Sequence, residues 1–124
     1  MSRVIAGLGF RRDVGADAIL AVLREAGARC GRSIDALAVP DFKADEPGML
    51  DAAGRLGLPV IRVGRAALRG EQGRCLTRSD AALAATGLAS VAEAAALAAA
   101  GADCRLLLAR ISLPRATCAL AEGT

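Results

Sequence analysis

Histidine, tryptophan and tyrosine are absent from this sequence of 124 residues, and Phe10 and Phe42 are its only aromatic residues. Without histidine, no histidine base or triad can form, and a zinc site is disfavoured because the four cysteines form no CxxC pair. Single-stranded nucleic acid is a poor partner because two aromatic rings cannot stack a run of bases. No DNA-reading motif is present either.

Long apolar runs are also missing. No stretch reaches the ~18 residues that a membrane span requires, and residues 1–9 lack the layout of a signal peptide. We therefore expect a cytoplasmic protein with no membrane partner, no nucleic-acid partner, no metal and no cofactor. The four cysteines are predicted to be buried, reduced thiols; they are Cys30, Cys75, Cys104 and Cys118.

Lysine occurs once among the sixteen basic residues, and the formal net charge is +3. That residue, Lys43, lies in the acidic segment Asp41-Phe42-Lys43-Ala44-Asp45-Glu46-Pro47-Gly48, directly after a predicted strand. Ligands of open α/β sheets bind outside the carboxyl ends of the strands. Lys43 is therefore predicted to bind an anion or to act in acid–base chemistry. Alternatively, the carboxylates hold Lys43 by ion pairing, or favour a helix N-terminus by ~0.3–1 kcal/mol.

Strands and helices are predicted to alternate along the chain. Apolar runs predict strands at 4–8, 34–40, 58–63, 104–111 and 115–121. Helical spacing predicts helices at 16–28, 47–56 and 90–100, a loop with a short helix at 64–78 and a helical turn at 79–85. The last two strands form either an antiparallel hairpin or a bent edge pair. The fold class is therefore α/β: a single domain spanning residues 1–124, with three layers (α/β/α) around a mixed, mostly parallel sheet.

The segment Gly7-Leu8-Gly9-Phe10-Arg11-Arg12 follows the first strand. Its glycines permit a tight turn and close backbone approach, and its two arginines can donate paired hydrogen bonds to carboxylate or phosphate. Arg12 stands where a GxGxxG dinucleotide fingerprint needs glycine. An ordinary turn with exposed arginines is the alternative.

Further candidate residues lie nearer the C-terminus. Ser90 and Glu93 fit a capping box at a helix N-terminus, and Gly87 shapes the loop before it. Arg110 and Arg115 can face the ligand from neighbouring strands.

Four blocks, in this order, resemble the CobE / CbiG C-terminal domain family of cobalamin (vitamin B12) biosynthesis. The resemblance covers essentially the whole chain. The blocks are Gly7-Leu8-Gly9-Phe10-Arg11-Arg12, Asp41-Phe42-Lys43-Ala44-Asp45-Glu46-Pro47-Gly48-Met49-Leu50, Thr86-Gly87-Leu88-Ala89-Ser90-Val91-Ala92-Glu93-Ala94-Ala95-Ala96-Leu97 and Arg115-Ala116-Thr117-Cys118-Ala119-Leu120-Ala121.

Two positions depart from the family pattern. Phe10 stands where cysteine is frequent, which excludes a thiol role, and Arg110 stands where lysine is common, which favours anion binding over proton transfer. The resemblance carries site roles over to Gly7, Gly9, Arg11, Lys43, Glu46, Gly87, Ser90, Glu93 and Thr117. The residue chemistry adds Phe10, Arg12, Asp41, Phe42 and Arg110 to the predicted ligand contacts.

The resemblance implies a function in handling a corrinoid or precorrin intermediate. Such rings carry many carboxylates, which the basic side chains would meet, while Phe10 and Phe42 cover the ring. The chain resembles the stand-alone CobE form rather than the fused CbiG-type proteins. Two alternatives stay open: an enzyme of hydrolase or ring-rearranging type that uses Lys43 and Glu46 for proton transfer, and an adaptor that docks onto another cobalamin-pathway enzyme.

Overall fold

The computed structural model describes residues 3–75 and 91–123. The strands of the described part are β1 (Arg3–Phe10), β2 (Ala36–Pro40), β3 (Val60–Val63), β4 (Arg105–Leu113) and β5 (Ala116–Gly123). Its helices are α1 (Ala16–Cys30), α2 (Pro47–Leu56), α3 (Arg65–Gly70) and α4 (Val91–Ala100). Two single-turn 3₁₀ segments lie at Asp41–Lys43 and Gln72–Arg74.

The described strands form one sheet in the order β3-β2-β1-β5-β4. The β3, β2 and β1 strands are parallel, and β5 is antiparallel to both β1 and β4. The predicted α/β fold is confirmed, with the parallel pairs gathered at the β3 end of the sheet. Because Phe10 pairs with Ala116, the β4–β5 turn lies at the same edge as the carboxyl ends of the parallel strands.

The helices cover both faces of the sheet, as alternation along β1 requires. Val4, Ala6 and Leu8 point to the face that packs against α1 and α2. Ile5 points to the opposite face, which packs against α3 and α4. These layers are the α/β/α arrangement expected from the sequence.

The alanine-rich helix α4 lies unusually close to the backbone of the sheet. A Cβ atom at Gly7 would collide with the carbonyl oxygen of Ala92 and lie 2.6 Å from the amide nitrogen of Ala96. At the other end of the helix, a Cβ at Gly123 would collide with the carbonyl oxygen of Ala100. Glycine in the strands and alanine in the helix are therefore required for this contact.

Element ends differ from the sequence predictions by a few residues. Gly31, with a φ of 62°, follows α1, which ends two residues beyond the predicted end at 28. Gly57, with a φ of 66°, follows α2, whose bounds agree with the predicted 47–56. The last two strands form the antiparallel hairpin. Helix α3 is the short helix predicted within 64–78, and the helical turn predicted at 79–85 lies outside the described residues.

Among residues 3–75 and 91–123, no helix combines the length and apolar character that crossing a bilayer requires. None of the four cysteines forms a disulfide bond. Cys104 and Cys118 are buried as predicted, whereas Cys30 and Cys75 are half-buried. The prediction of full burial was therefore wrong for these two thiols.

Candidate ligand-binding cleft

A cleft of about 860 Å³ opens at the edge where the parallel strands end and the β4–β5 hairpin turns. It is lined by Leu8, Gly9, Phe10, Arg11, Arg12, Pro40, Phe42, Lys43, Glu46, Arg65, Val91, Arg110, Leu113, Arg115, Ala116 and Thr117. This is the position at which ligands bind in open α/β sheets. Six of these lining residues are basic, and Glu46 is the acidic one.

Glu46 binds the backbone of the loop between β1 and α1. Its Oε1 accepts a hydrogen bond from the backbone N–H of Asp13 at 2.8 Å. Asp13 has a φ of 65°, a left-handed conformation that a non-glycine residue adopts at a cost unless its surroundings stabilise it. The Glu46 carboxylate thereby holds the loop that carries Arg11 and Arg12.

The N-terminus of α2 supports the same loop through its backbone. A Cβ atom at Gly48 would collide with the carbonyl oxygen of Val14 and lie 3.2 Å from the carbonyl carbon of Gly15. Within the loop, the Val14 N–H donates to the carbonyl oxygen of Arg11 at 3.2 Å. Glycine at position 48 is thus needed for α2 to reach the loop.

Both aromatic rings of the protein line the cleft, and each lies next to a cation. The Lys43 Nζ is 5.8 Å from the centroid of the Phe10 ring. The guanidinium carbon of Arg65 is 4.8 Å from the centroid of the Phe42 ring. Cation–π attraction at such distances orients the cations against apolar surface. Phe42 remains 44% exposed, so part of this residue faces the open cleft.

Asp41 and Asp45 bind Arg62 rather than Lys43. Their carboxylates lie 2.8 Å and 3.3 Å from the Arg62 guanidinium. The hydrogen bond with Asp41, followed by the charge of Asp45, raises the pKa of Arg62 above its ordinary value. The expectation that these carboxylates hold Lys43 was therefore wrong, and no described carboxylate forms an ion pair with Lys43.

The hydroxyl of Thr117 on β5 donates to the carbonyl oxygen of Gly9 on β1 at 3.4 Å. A Cβ atom at Gly9 would lie 2.5 Å from the Thr117 Oγ1. Glycine at position 9 therefore leaves the space that the threonine occupies where the two strands form the inner wall of the cleft.

Arg110 on β4 is half-buried and lines the cleft. Its backbone N–H donates to the Glu93 Oε2 at 2.9 Å. Glu93, in the first turn of α4, is fully buried. The Arg110 Nε is buried and has no hydrogen-bond partner among the described residues.

The structure brings most of the predicted ligand contacts together. Those that line the cleft are Gly9, Phe10, Arg11, Arg12, Phe42, Lys43, Glu46, Arg110 and Thr117. Gly7 lies under α4, Asp41 binds Arg62 and Glu93 lies behind Arg110. Gly87 and Ser90 lie outside the described residues, so the predicted capping box stays a prediction.

Sequence reasoning missed Arg65. It directly follows β3, so the rule that singled out Lys43 after β2 could also have found Arg65. In the described part of the chain, no cluster of three cysteine, aspartate or glutamate side chains could hold a metal ion.

The family model described as cobalamin synthesis G C-terminus matches residues 4–121. The chain belongs to this family. Its sequence is similar to Protein CobE of Sinorhizobium sp, with 34% identity over 121 residues, covering 95% of this chain and 79% of that protein. The family resemblance read from the four sequence blocks is thus confirmed, and with it membership among proteins of cobalamin biosynthesis.

Solved structures share the fold. The crystal structure of CobE, a protein from the cobalamin (vitamin B12) biosynthetic pathway, superimposes with a TM-score of 0.92 at 43% identity, over 99% of this chain and 92% of that one. Cobalamin biosynthesis protein chiG from Agrobacterium tumefaciens gives 0.77 at 41% identity, over 95% and 96%. A cobalamin biosynthesis protein G homolog from Sulfolobus solfataricus, at 21% identity and a TM-score of 0.75, contains the same fold within 37% of its chain.

Proposed function

We propose that this protein binds a polycarboxylated corrinoid or precorrin intermediate of cobalamin biosynthesis in the cleft. The observation that supports this most directly is the charge of the lining: six basic side chains converge there, and the carboxylate of Glu46 is already bound to the Asp13 N–H. Family membership supports this choice of ligand class, because the intermediates of this pathway are rings with many peripheral carboxylates.

The arginines of the cleft suit carboxylate recognition. A guanidinium can donate two parallel hydrogen bonds to one carboxylate, and a concave site of one charge sign attracts anions over a distance. Arg11, Arg12 and Arg115 are exposed, and none forms an ion pair with a described carboxylate. They are therefore available to a ligand that brings several negative charges.

Apolar side chains between the cations suit the body of such a ring. The cleft includes Leu8, Leu113 and Val91 besides the two phenylalanines. Its volume of about 860 Å³ lies within the range of small-molecule sites, ~300–1,000 Å³. A broad apolar ring with charged groups at its margin matches this distribution.

The position of Glu46 favours binding over proton transfer by this residue. Its Oε1 accepts the Asp13 N–H, which gives the carboxylate a positioning task in the loop of Arg11 and Arg12. In the binding account, Lys43 contributes charge next to the Phe10 ring, and neither side chain has to exchange a proton.

A visible-absorbance titration tests the proposal. The purified protein is titrated with a metal-free precorrin or corrin whose carboxylates are free, alongside Lys43→Ala and the matched control Arg62→Ala. We expect a saturable spectral shift and a pigment that is unchanged on release. Lys43→Ala should weaken binding roughly 10-fold, because a hydrogen bond to a charged group contributes ~1.5–3 kcal/mol. Arg62→Ala should have little effect.

Three results would contradict the proposal. The first is the absence of a saturable shift with metal-free and cobalt-containing rings alike. The second is equal weakening by Lys43→Ala and Arg62→Ala, which would mean that overall charge, and not the cleft, holds the pigment. The third is a released pigment with an altered spectrum, which would identify the protein as an enzyme.

A further inference from the structure

A β-bulge places Arg110 at the inner wall of the cleft. Leu108 on β4 pairs with Leu120 on β5, but the next paired residue, Ile111, faces Cys118. Three steps along β4 therefore match two steps along β5, so β4 contains one extra residue between these pairs. Bulges of this kind redirect a side chain and release a backbone group from the ladder.

The buried carboxylate of Glu93 receives the Arg110 N–H at this bulge. The distance from this nitrogen to Oε2 is 2.9 Å, and Glu93 has no exposed surface. Burying a carboxylate is expensive unless hydrogen bonds satisfy it. The hydrogen bond with the Arg110 N–H gives this buried side chain a structural task at the bulge.

The side chain of Arg110 has an unused donor. Its Nε is fully buried and has no partner among the described residues, although the residue lines the cleft. A buried donor without a partner costs free energy, more so when it belongs to a charged group. A carboxylate in the cleft would accept from Nε–H and from a neighbouring Nη–H in the paired geometry that arginine favours.

We propose that Arg110 anchors one ligand carboxylate at the inner wall of the cleft and that Glu93 is the positioning residue that holds the bulge beneath it. The identity of the ligand as a polycarboxylated ring rests on the proposed function. The carboxylate subsite itself rests on the bulge, the Glu93 contact and the Nε of Arg110. Arg115 is exposed at the hairpin turn and contributes positive charge, but it has no buried donor that requires a partner.

Substitutions that retain the positive charge distinguish a specific carboxylate anchor from general electrostatic attraction. Uroporphyrin, a ring with carboxylates around its margin, is the probe in an absorbance titration. Arg110→Lys keeps the positive charge but lacks the Nε–H and should weaken binding about 10- to 100-fold. The matched control is Arg105→Lys on the same strand, outside the cleft, where Arg105 forms an exposed ion pair with Glu122. It should stay within about 2-fold, because an exposed ion pair contributes ~0–1 kcal/mol. Equal behaviour of the two variants would overturn the proposal.

Glu93 is tested by comparing two variants. Glu93→Gln keeps an acceptor for the Arg110 N–H and should retain affinity within a few-fold. Glu93→Ala removes the acceptor and should lower affinity as Arg110→Lys does. If Glu93→Ala does not fold, Glu93→Gln alone is compared with Arg110→Lys. A loss of affinity in Glu93→Gln as large as that in Arg110→Lys would contradict the positioning role, because glutamine keeps the acceptor for the Arg110 N–H.

The side-chain Nε–H of Arg110 gives a direct readout in ¹⁵N–¹H NMR spectra, with its resonance assigned by its loss in Arg110→Lys. We expect this resonance to shift and its hydrogen exchange to slow on addition of uroporphyrin, and also on addition of citrate at high concentration. Uroporphyrin that binds without moving the resonance would overturn the anchor while leaving the proposed function intact. A citrate response without ring binding would support the carboxylate subsite and contradict the proposed function. If neither probe moves the resonance, the subsite is refuted.

Discussion

Basic side chains behave differently inside and outside the cleft. Outside it, six arginines form ion pairs with carboxylates; they are Arg29, Arg32, Arg55, Arg62, Arg74 and Arg105. Inside it, five basic side chains have no ion pair with a described carboxylate; they are Arg11, Arg12, Lys43, Arg110 and Arg115. Arg3, Arg24 and Arg69 also lack an ion pair with a described carboxylate, but they lie on three different elements, β1, α1 and α3, and do not line the cleft.

The difference separates two uses of the same residue type. Exposed ion pairs contribute ~0–1 kcal/mol each and are easily replaced. Converging cations without counter-charges repel one another and lower stability unless an anion joins them. Within the described chain, the carboxylates that could have neutralised the cleft bind elsewhere: Asp41 and Asp45 to Arg62, and Glu46 to a backbone N–H. This distribution favours an anionic ligand.

Removing two cations from the cleft should have the largest effect. Arg11→Ala combined with Arg12→Ala should weaken binding of a polycarboxylated ring on the order of 100-fold or more, since each loses a charge-assisted hydrogen bond worth ~1.5–3 kcal/mol. Arg55→Ala combined with Arg105→Ala removes the same charge from the ion-paired surface. Titrations at one ionic strength measure both. Equal losses of affinity in the two double variants would contradict the distinction between the cleft and the ion-paired surface.

Moving the loop without changing its charge should come next. Gly48→Ala would place a Cβ against the Val14 carbonyl oxygen, so the loop must shift, at a cost of ~1–3 kcal/mol. We expect a lower free energy of unfolding in urea and roughly 10-fold weaker binding. The control lies in the same helix: a Cβ at Gly54 meets nothing within 4 Å, and Gly54→Ala should stabilise by ~0.5–1 kcal/mol. If Gly48→Ala behaved like Gly54→Ala, the loop would not depend on α2.

Glu46 tests whether the acidic residue of the cleft acts through its hydrogen bond or its charge. Glu46→Gln retains an oxygen that can accept the Asp13 N–H and removes a negative charge, so affinity should be unchanged or slightly higher. Glu46→Ala frees the loop and should weaken binding several-fold. The hydrogen exchange of the Asp13 amide, measured by NMR, should be faster in Glu46→Ala than in Glu46→Gln. Equal exchange in both variants would contradict the positioning role.

Buried thiols should contribute to the alkaline response of stability. Burial raises the pKa of the Cys118 thiol to about 12 and that of Cys75 to about 11. The folded state keeps these protons while unfolded thiols lose theirs near the ordinary value of 9.0. The contribution is therefore complete below pH ~9 and is lost as pH rises above it. In urea unfolding at pH values above 9.0, the free energy of unfolding should fall less steeply with pH in Cys118→Ala than in the unmodified protein. An equally steep fall would exclude Cys118 as a source of the pH dependence.

The sequence located the cleft because two local rules agree there. Apolar runs identified the end of β2 and came within two residues of the end of β1, and the chemistry of Arg11 and Lys43 marked those ends as predicted anion sites. The contacts between distant segments were not predictable in this way. Arg62 reaches Asp41 from the neighbouring strand, and no periodicity in the sequence reveals the bulge at Arg110 or its contact with Glu93, since both depend on how α4 packs on the sheet.

The most direct test of the central claim is a map of ligand-induced shifts in ¹⁵N–¹H NMR spectra of the unmodified protein. We expect a metal-free polycarboxylated precorrin or corrin to shift the amides of residues 9–13, 42–46 and 110–117, with little change near Arg29, Arg55 and Arg105. A saturable response centred on those paired arginines, or on the groove that Leu20, Leu56 and Leu58 line between α1 and α2, would contradict it.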